Sequence, residues 1–300
     1  MDWGLALGGL GVGFVVGLTG MGGGALMTPL LVLVFGIDPL TAVSSDLVAS
    51  LVMKPFGAGV HVRRGTVNFG LVKWLCVGSV PCAFLGVVVL KALGGEDIQG
   101  DIKVLLGGAL LLAAVAMVAR QVIQQHREVD APVDGAQHQI RIRRVPTILI
   151  GVVGGFIVGM TSVGSGSLMI VMLLLLYPSL SAGQLVGTDL VQAIPLVGAA
   201  ALGHILFGDF ELGLTTSLLV GAIPGVYLGA RISSRAPDAI IRPILVAVLL
   251  LSSIKLLGAS DAVVLGCFIG ALVIGGTLGL VARRRRGKAT AAGVQAPSPI

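Results

Sequence analysis

The chain has 300 residues, of which 55% are hydrophobic and only 11% are charged, and its formal net charge is +6 at pH 7. Soluble domains carry about 25% charged residues, so this composition excludes a water-soluble globular fold. It predicts an all-α polytopic protein of the cytoplasmic (inner) membrane, embedded in a lipid bilayer, with no nucleic-acid partner and no cofactor.

Apolar runs recur along the chain at about the length of 20 residues that a helix needs to cross a bilayer. They fall at about residues 3–36, 40–60, 69–92, 102–120, 145–177, 182–207, 211–230, 240–258 and 261–282. Connections with arginine, such as Arg63 and Arg64, alternate with acidic connections that lack it. The positive-inside rule places the arginine-bearing connections in the cytoplasm. The alternation of basic and acidic connections fails once, around the fifth run. One of the apolar runs there must therefore not cross the bilayer.

The fifth run, residues 145–177, is the candidate for this exception. Its 33 residues are too few for two full crossings, but they suffice for two half-length helices that meet at Thr161–Ser167. We therefore expect a re-entrant or broken hairpin here and, by symmetry, a second one in the first run, with a single crossing by the first run as the alternative. The expected total is seven to nine transmembrane segments with two broken or re-entrant helices.

The sequence contains an internal repeat. Gly13–Met27 matches Gly155–Met169 at an offset of 142 positions, and after one inserted residue the match continues at 143, for example from His61 to His204. The connection after His61 is basic and the one after His204 is acidic, so we expect two inverted-topology repeats, which are typical of secondary transporters. The predicted organisation is a first transmembrane repeat at 1–120, a cytoplasmic polar linker at 121–144, a second repeat at 145–258, a final transmembrane helix at 259–282 and a basic disordered cytoplasmic tail at 283–300.

Each half contains a break rich in glycine and hydroxyl residues just before a following half-helix. Free backbone N–H groups at such a helix start, together with the positive end of the helix dipole, form a ready anion site. Close helix packing or a plain kink is the alternative explanation, and hydroxyls can also bond to their own helix. The candidate substrate-binding residues are Thr19, Gly22, Gly23, Gly24, Ser44, Ser45, Thr161, Ser162, Gly164, Ser165, Gly166 and Thr188.

Five ionisable side chains are candidates for binding a coupling ion or proton, namely Asp46, Asp189, Lys54, His61 and His204. The two carboxylates occupy equivalent positions inside apolar spans, where a charge is costly and indicates function. Capping of their own helix starts is an equal competitor. Lys54 has no basic counterpart in the other half, and its partner is either Asp46 or the substrate. The histidines lie at span ends, where simple solvation competes with gating or proton transfer.

These features resemble the sulfite exporter TauE/SafE family of bacterial permeases over about residues 5–282. The motifs that carry the resemblance are the break Gly17–Gly24 followed by Pro29, the step Ser44-Ser45-Asp46, the turn Gly59-x-x-x-x-x-Gly65 and the second-half sequence Gly187-Thr188-Asp189. The resemblance implies a permease for small sulfur-containing or carboxylated anions such as sulfite, sulfoacetate or related organosulfonates. The polar linker and the basic tail depart from a typical member.

The leading hypothesis is therefore a secondary transporter, an exporter or other permease, that moves a small anion by alternating access. A proton or sodium ion would couple the transport, and the chain could form a homo-oligomer. A transition-metal or other ion permease is an alternative, but the spans lack clustered His, Cys or Met with ligand spacing, and we predict no metal site. An intramembrane enzyme is a weaker alternative, because the chain contains neither H-E-x-x-H nor G-x-S-x-G, and we predict no catalytic residues.

Overall fold

The computed structural model describes residues 2–19, 23–93, 98–130, 141–207, 210–232 and 238–260, together with residues 263 and 266. Within these ranges the chain forms α-helices and no strands. The helices are α1 (Trp3–Thr19), α2 (Gly24–Leu33), α3 (Pro39–Arg63), α4 (Phe69–Leu93), α5 (Ile98–Asp130), α6 (Arg144–Thr161), α7 (Leu168–Leu176), α8 (Ala182–Phe207), α9 (Leu212–Ile232) and α10 (Asp238–Leu256). Met1–Leu257 form one compact unit. The predicted final helix lies mostly, and the basic tail wholly, outside the described residues.

Five stretches of these helices are long and apolar enough to cross a bilayer. They are Phe69–Ala92, Gly100–Ile123, Arg144–Thr161, Ala182–Phe207 and Leu212–Gly229. Two boundaries differ from the sequence expectation. α5 continues to Asp130, so the first part of the predicted polar linker is helical, because residues 121–130 contain no proline or glycine to stop the helix. The expectation of two half-length helices in the fifth run is wrong for α6, because its 18 residues are long and apolar enough to cross a bilayer, whereas α7 has 9 residues.

The first predicted break separates α1 from α2, and these two helices form a hairpin. α1 ends at Thr19 and α2 begins at Gly24. The ring of Phe35, just beyond the end of α2, packs on Gly4 and Gly8 near the start of α1. The chain therefore reverses direction at the glycine-rich break.

The second predicted break separates α6 from α7, which form a hairpin of the same kind. The hydroxyl of Tyr177, directly after α7, is hydrogen-bonded to the hydroxyl of Thr147 and accepts a bond from the backbone N–H of Arg143 at 2.9 Å. Both partners lie at the start of α6. Phe35 and Tyr177 are 142 positions apart, so repeated positions supply the aromatic ring that closes each hairpin.

Each hairpin packs closely on a helix from the other half of the sequence. A Cβ atom built at Gly221 of α9 would overlap the carbonyl oxygen of Ala6 in α1, and one at Gly78 of α4 would overlap that of Ile148 in α6. Gly221 follows Gly78 by 143 positions and Ile148 follows Ala6 by 142. The same backbone contact is therefore made twice by repeated positions, and small residues at such seams let helices approach closely.

The equivalent helices α3 and α8 pack against each other and run antiparallel. Ser44 near the start of α3 is hydrogen-bonded to His204 near the end of α8 at 2.9 Å. Gly187 near the start of α8 lies against His61 near the end of α3. This antiparallel pair joins the two halves of the sequence along most of the length of both helices.

We expect Gly9→Ala to destabilise the protein, because the added methyl group would overlap the carbonyl oxygen of Leu218 in α9. Overpacking of this kind costs roughly 1–3 kcal/mol. Gly11→Ala in the same helix is the control, since no neighbouring atom lies within 4 Å of its added Cβ and alanine stabilises a helix by about 0.5–1 kcal/mol relative to glycine. Thermal unfolding in detergent should give a lower midpoint for Gly9→Ala only. Equal midpoints would contradict the close seam between α1 and α9.

Candidate functional site

The turns of the two hairpins meet inside the protein. A Cβ atom built at Gly24, the first residue of α2, would overlap the carbonyl oxygen of Ser162, the residue after α6. The second turn is left-handed, with φ values of 60° at Ser162, 126° at Gly164 and 90° at Gly166, a backbone that favours glycine. Gly24 thus permits a backbone contact between the turns that a larger residue would prevent, and Gly164 and Gly166 permit the left-handed backbone of the second turn.

Asp46 of α3 joins both hairpins. Its side chain is fully buried, and its carboxylate accepts hydrogen bonds from the hydroxyls of Thr28 in α2 at 2.7 Å, Ser162 at 2.8 Å and Ser50 at 3.3 Å. Hydrogen bonds to an ionised acceptor are among the stronger ones in proteins. The alternative that Asp46 caps its own helix is wrong, because α3 begins at Pro39 and the carboxylate bonds to side chains of other elements.

Asp189 of α8 occupies the repeat-equivalent position and binds the other side of the second turn. It is 2% exposed. Its carboxylate accepts a bond from the Gln192 amide at 3.1 Å and another from the backbone N–H of Gly166. Because α8 begins at Ala182, Asp189 does not cap its own helix. Its carboxylate instead fixes the loop that precedes α7.

Lys54 of α3 contacts the second turn and interacts electrostatically with both carboxylates. Its side chain is only 6% exposed, and its ammonium donates a hydrogen bond to the hydroxyl of Ser165 at 2.9 Å. Both Asp189 and Asp46 act on it electrostatically. The sequence pattern predicts either Asp46 or the substrate as the partner of Lys54. The direct hydrogen-bond partner in the structure is the hydroxyl of Ser165. Lys54 thereby links the long helix to the hairpin that Asp189 also holds.

The two histidines differ although they are repeat equivalents. His204 is fully buried, so the expectation of a solvated histidine at a span end is wrong for this residue. Its Nε2 donates to the carbonyl oxygen of Gly159 in α6 and its Nδ1 pairs with the Ser44 hydroxyl, both at 2.9 Å. His61 is partly exposed, and its Nδ1 pairs with the hydroxyl of Thr66 at 2.9 Å.

The remaining predicted residues have varied surroundings. Thr161 donates back to the carbonyl oxygen of Ile157 in its own helix, and Thr188 accepts a bond from the backbone N–H of Asn68. Ser45 is fully buried, and its hydroxyl has no hydrogen-bond partner within the described ranges. The first turn is only partly described, since Gly22 and the side chain of Thr19 lie outside the described residues, but Gly23 contacts Met53 and Ser50 and lies close to Asp46.

Three residues of the cluster escaped the sequence reasoning, namely Thr28, Ser50 and Gln192. Ser50 lies four positions after Asp46, and Gln192 lies three positions after Asp189. Residues at these spacings share a helix face, so both were detectable as neighbours of the carboxylates. Thr28 belongs to another element and has a hydrophobic repeat counterpart, so no pattern in the sequence indicated it.

A cavity of about 740 Å³ leads from this cluster to one end of the molecule. It extends along α3 from Ser50 and Lys54 to Arg63, the last residue of the helix, and Arg231 of α9 lies at the same exposed end. Between these ends the walls are mainly apolar. The lining residues are Val16, Gly17, Gly23, Ser50, Met53, Lys54, Phe56, Gly57, Val60, Arg63, Leu190, Ile223, Pro224, Val226, Tyr227 and Arg231. Nowhere in the described part of the chain do three or more His, Cys, Asp or Glu side chains group as a metal site requires.

Residues 5–256 match the family described as Sulfite exporter TauE/SafE. The chain belongs to this family and is a membrane transporter, as the resemblance predicted. It is 40% identical over 259 residues to the probable membrane transporter protein YjnA of Bacillus subtilis (strain 168), covering 86% of this chain and 100% of that relative. The corresponding values are 26% over 233 residues for YdhB of the same organism (77% and 90%) and 28% over 230 residues for a probable membrane transporter protein of Xylella fastidiosa (strain 9a5c) (75% and 82%). No solved structure matches the chain.

Ser162→Ala should destabilise the protein, because it removes a hydroxyl that donates to the buried Asp46 carboxylate. Hydrogen bonds to charged groups contribute about 1.5–3 kcal/mol. Ser45→Ala is the matched control, since its buried hydroxyl has no partner among the described residues and its loss should cost little. Thermal unfolding midpoints in detergent, measured without substrate, test the difference. An equal fall in both variants would show that the bond from Ser162 to Asp46 adds no stability.

Proposed function

We propose that this protein is a secondary transporter that moves small anions, such as sulfite, sulfoacetate or a related organosulfur or carboxylate anion, across the cytoplasmic membrane by alternating access. The observation that carries the proposal is the position of Lys54. This buried cation lines the cavity, donates a hydrogen bond to Ser165 in the second hairpin turn, and interacts electrostatically with both carboxylates. A cation held deep in a membrane protein marks an ion or substrate path.

Inverted-topology repeats are part of this proposal. The antiparallel packing of α3 and α8 supports it, and so does the double use of equivalent positions in the seams between α1 and α9 and between α4 and α6. Transporters of this kind bind substrate where discontinuous helices of the two halves meet. In this chain the two hairpin turns meet at Gly24 and Ser162. The substrate site therefore belongs at this junction.

The proposed anion contacts are Lys54, the Ser165 hydroxyl and the polar groups around Gly23. In the structure, the Ser165 hydroxyl accepts a hydrogen bond from the Lys54 ammonium. An arriving oxyanion would replace Ser165 as the acceptor of this bond. The Ser165 hydroxyl would then be available to donate a hydrogen bond to the anion. Arg63 and Arg231 at the exposed end of the cavity raise the local anion concentration by electrostatic attraction. By the positive-inside rule this end faces the cytoplasm.

Charge balance supports coupling to a cation. The Asp46 and Asp189 carboxylates both act on Lys54, and Arg120 also acts on Asp189. These charges nearly cancel, so a bound anion adds negative charge that a low-dielectric interior disfavours. A proton taken up with the anion removes that excess. Asp189 is the better carrier, because Asp46 already accepts bonds from three hydroxyls that hold the hairpins.

Lys54→Gln should reduce the initial rate of uptake of radiolabelled sulfoacetate and sulfite into proteoliposomes at least about tenfold. Loss of a hydrogen bond to a charged group costs about 1.5–3 kcal/mol, and about 1.4 kcal/mol corresponds to a factor of ten. Lys73→Gln is the control, because Lys73 is exposed on α4. If Lys54→Gln transported as fast as the unmodified protein, Lys54 would not be an anion contact.

Proton entry should accompany anion uptake, and Asp189→Asn should abolish that proton entry while anion exchange across equilibrated vesicles persists. The reason is that exchange needs no net change in protonation, whereas net uptake does. A pH-sensitive dye trapped in the proteoliposomes measures the proton movement, and replacement of sodium by choline tests the alternative ion. Uptake that requires sodium and leaves the internal pH unchanged would assign the coupling to sodium.

A further inference from the structure

The cavity has a counterpart in the other half of the sequence, and there the equivalent positions are tightly packed. The cavity-lining residues Val16, Met53, Gly57, Val226 and Leu190 correspond by the repeat to Val158, Leu196, Ala200, Ala83 and Leu47. Each of these five counterparts is 0% exposed, and all belong to one apolar cluster. Repeated positions thus form an open space on one side of the molecule and a solid core on the other.

A hydrogen-bonded cluster closes the packed side. His204 connects α8 to Ser44 of α3 and to the Gly159 carbonyl of α6. The repeat equivalents of these three residues are His61, Gly187 and Gly17. Gly187 has no hydroxyl to offer, His61 pairs with Thr66 in the connection after its own helix, and Gly17 lines the cavity.

An aromatic pair at the packed side shows the same asymmetry. The rings of Phe84 and Phe207 meet edge to face with their centroids 6.0 Å apart. The equivalent of Phe84 is Tyr227, which lines the cavity and whose ring lies 4.8 Å from the guanidinium of Arg231. One side is therefore closed by ring contacts that the other side lacks.

We propose that the packed residues form a second, latent cavity, which opens at the end opposite Arg63 and Arg231 when the first cavity closes. The bonds of His204 to Ser44 and Gly159, with the Phe84–Phe207 contact, are its gate. The two halves share a sequence pattern, and their central helices α3 and α8 are antiparallel. Each half can therefore adopt either the open or the packed arrangement, and the two halves can exchange these arrangements. This inference rests on the proposed function and identifies the residues that line the second half of the transport path.

The gate also biases the resting state toward the structure described here. The serine at position 44 supplies a bond that glycine at 187 cannot supply, so the packed side is held closed by an interaction without an equivalent at the cavity side. Ser44→Gly makes the two sides alike at this position. Its matched control is Ser45→Gly, which places the same residue one position along the same helix and removes a hydroxyl that lacks a partner in the described ranges.

Cysteine labelling at a pair of equivalent positions tests the latent cavity. Gly57→Cys lines the open cavity and Ala200→Cys lies in the packed counterpart, each in a full chain whose native Cys76, Cys82 and Cys267 are replaced by alanine. A membrane-impermeant trimethylammonium methanethiosulfonate reagent is added to vesicles of either orientation. Gly57→Cys should react from the face that bears Arg63. Ala200→Cys should react slowly and only from the opposite face.

Ser44→Gly should raise the labelling rate of Ala200→Cys about fivefold to tenfold and lower that of Gly57→Cys, since loss of one hydrogen bond of typical net strength shifts an equilibrium by roughly this factor. Ser45→Gly should leave both rates unchanged. Reaction of both cysteines from the same face, absence of any reaction at Ala200→Cys, or equal effects of the two glycine variants would overturn the proposal.

Because labelling is measured without an anion, this result is independent of whether sulfoacetate is transported. Transport with the wrong labelling pattern would refute the latent cavity alone, and the expected labelling without transport would refute only the proposed substrate.

Discussion

The buried carboxylate of Asp46 is the interaction on which the arrangement of the two hairpins depends. Its oxygens accept hydroxyl bonds from Thr28 in the first hairpin and from Ser162 in the turn of the second. Burying a carboxylate here without hydrogen-bond donors would cost much free energy, so the hydroxyls stabilise the buried charge. Asp189 and Lys54 add further bonds to the second turn. The polar centre therefore positions both helix breaks relative to the long helices α3 and α8.

Much of this centre could be predicted from the sequence, because a repeat makes each unusual residue visible twice. The breaks at 19–24 and 161–167 and the paired Asp46 and Asp189 all follow from the matching of the two halves. Features that depend on contacts between elements distant in the sequence were harder to predict. Thr28 comes from a different helix than the carboxylate it binds, and the burial of His204 depends on neighbours that are distant in the chain. The cavity was invisible for the same reason, since its walls combine α1, α3, α8 and α9.

The glycine content of the chain has a mechanical meaning. In the seams between α1 and α9 and between α4 and α6, backbone atoms of one helix occupy the space that side chains of the other would need. Such contacts resist separation but present few side-chain obstacles to small rotations. Each hairpin is thereby tied to a helix of the opposite half. A movement of one half must then carry a hairpin of the other half with it. This coupling is consistent with a transporter in which one cavity closes as the other opens.

The place where α3 crosses α8 has an electrical consequence. Ser44 pairs with His204 at one end of the contact and Gly187 lies against His61 at the other, so the midpoint of the contact along α3 lies close to Lys54. If the halves rock about this crossing, the ammonium stays near the fulcrum and moves through little of the membrane voltage. Displacing one elementary charge across the full field is worth about 2.3 kcal/mol per 100 mV. The dependence of turnover on membrane potential would then report the charge of the cargo and its accompanying ion, with little contribution from the protein itself.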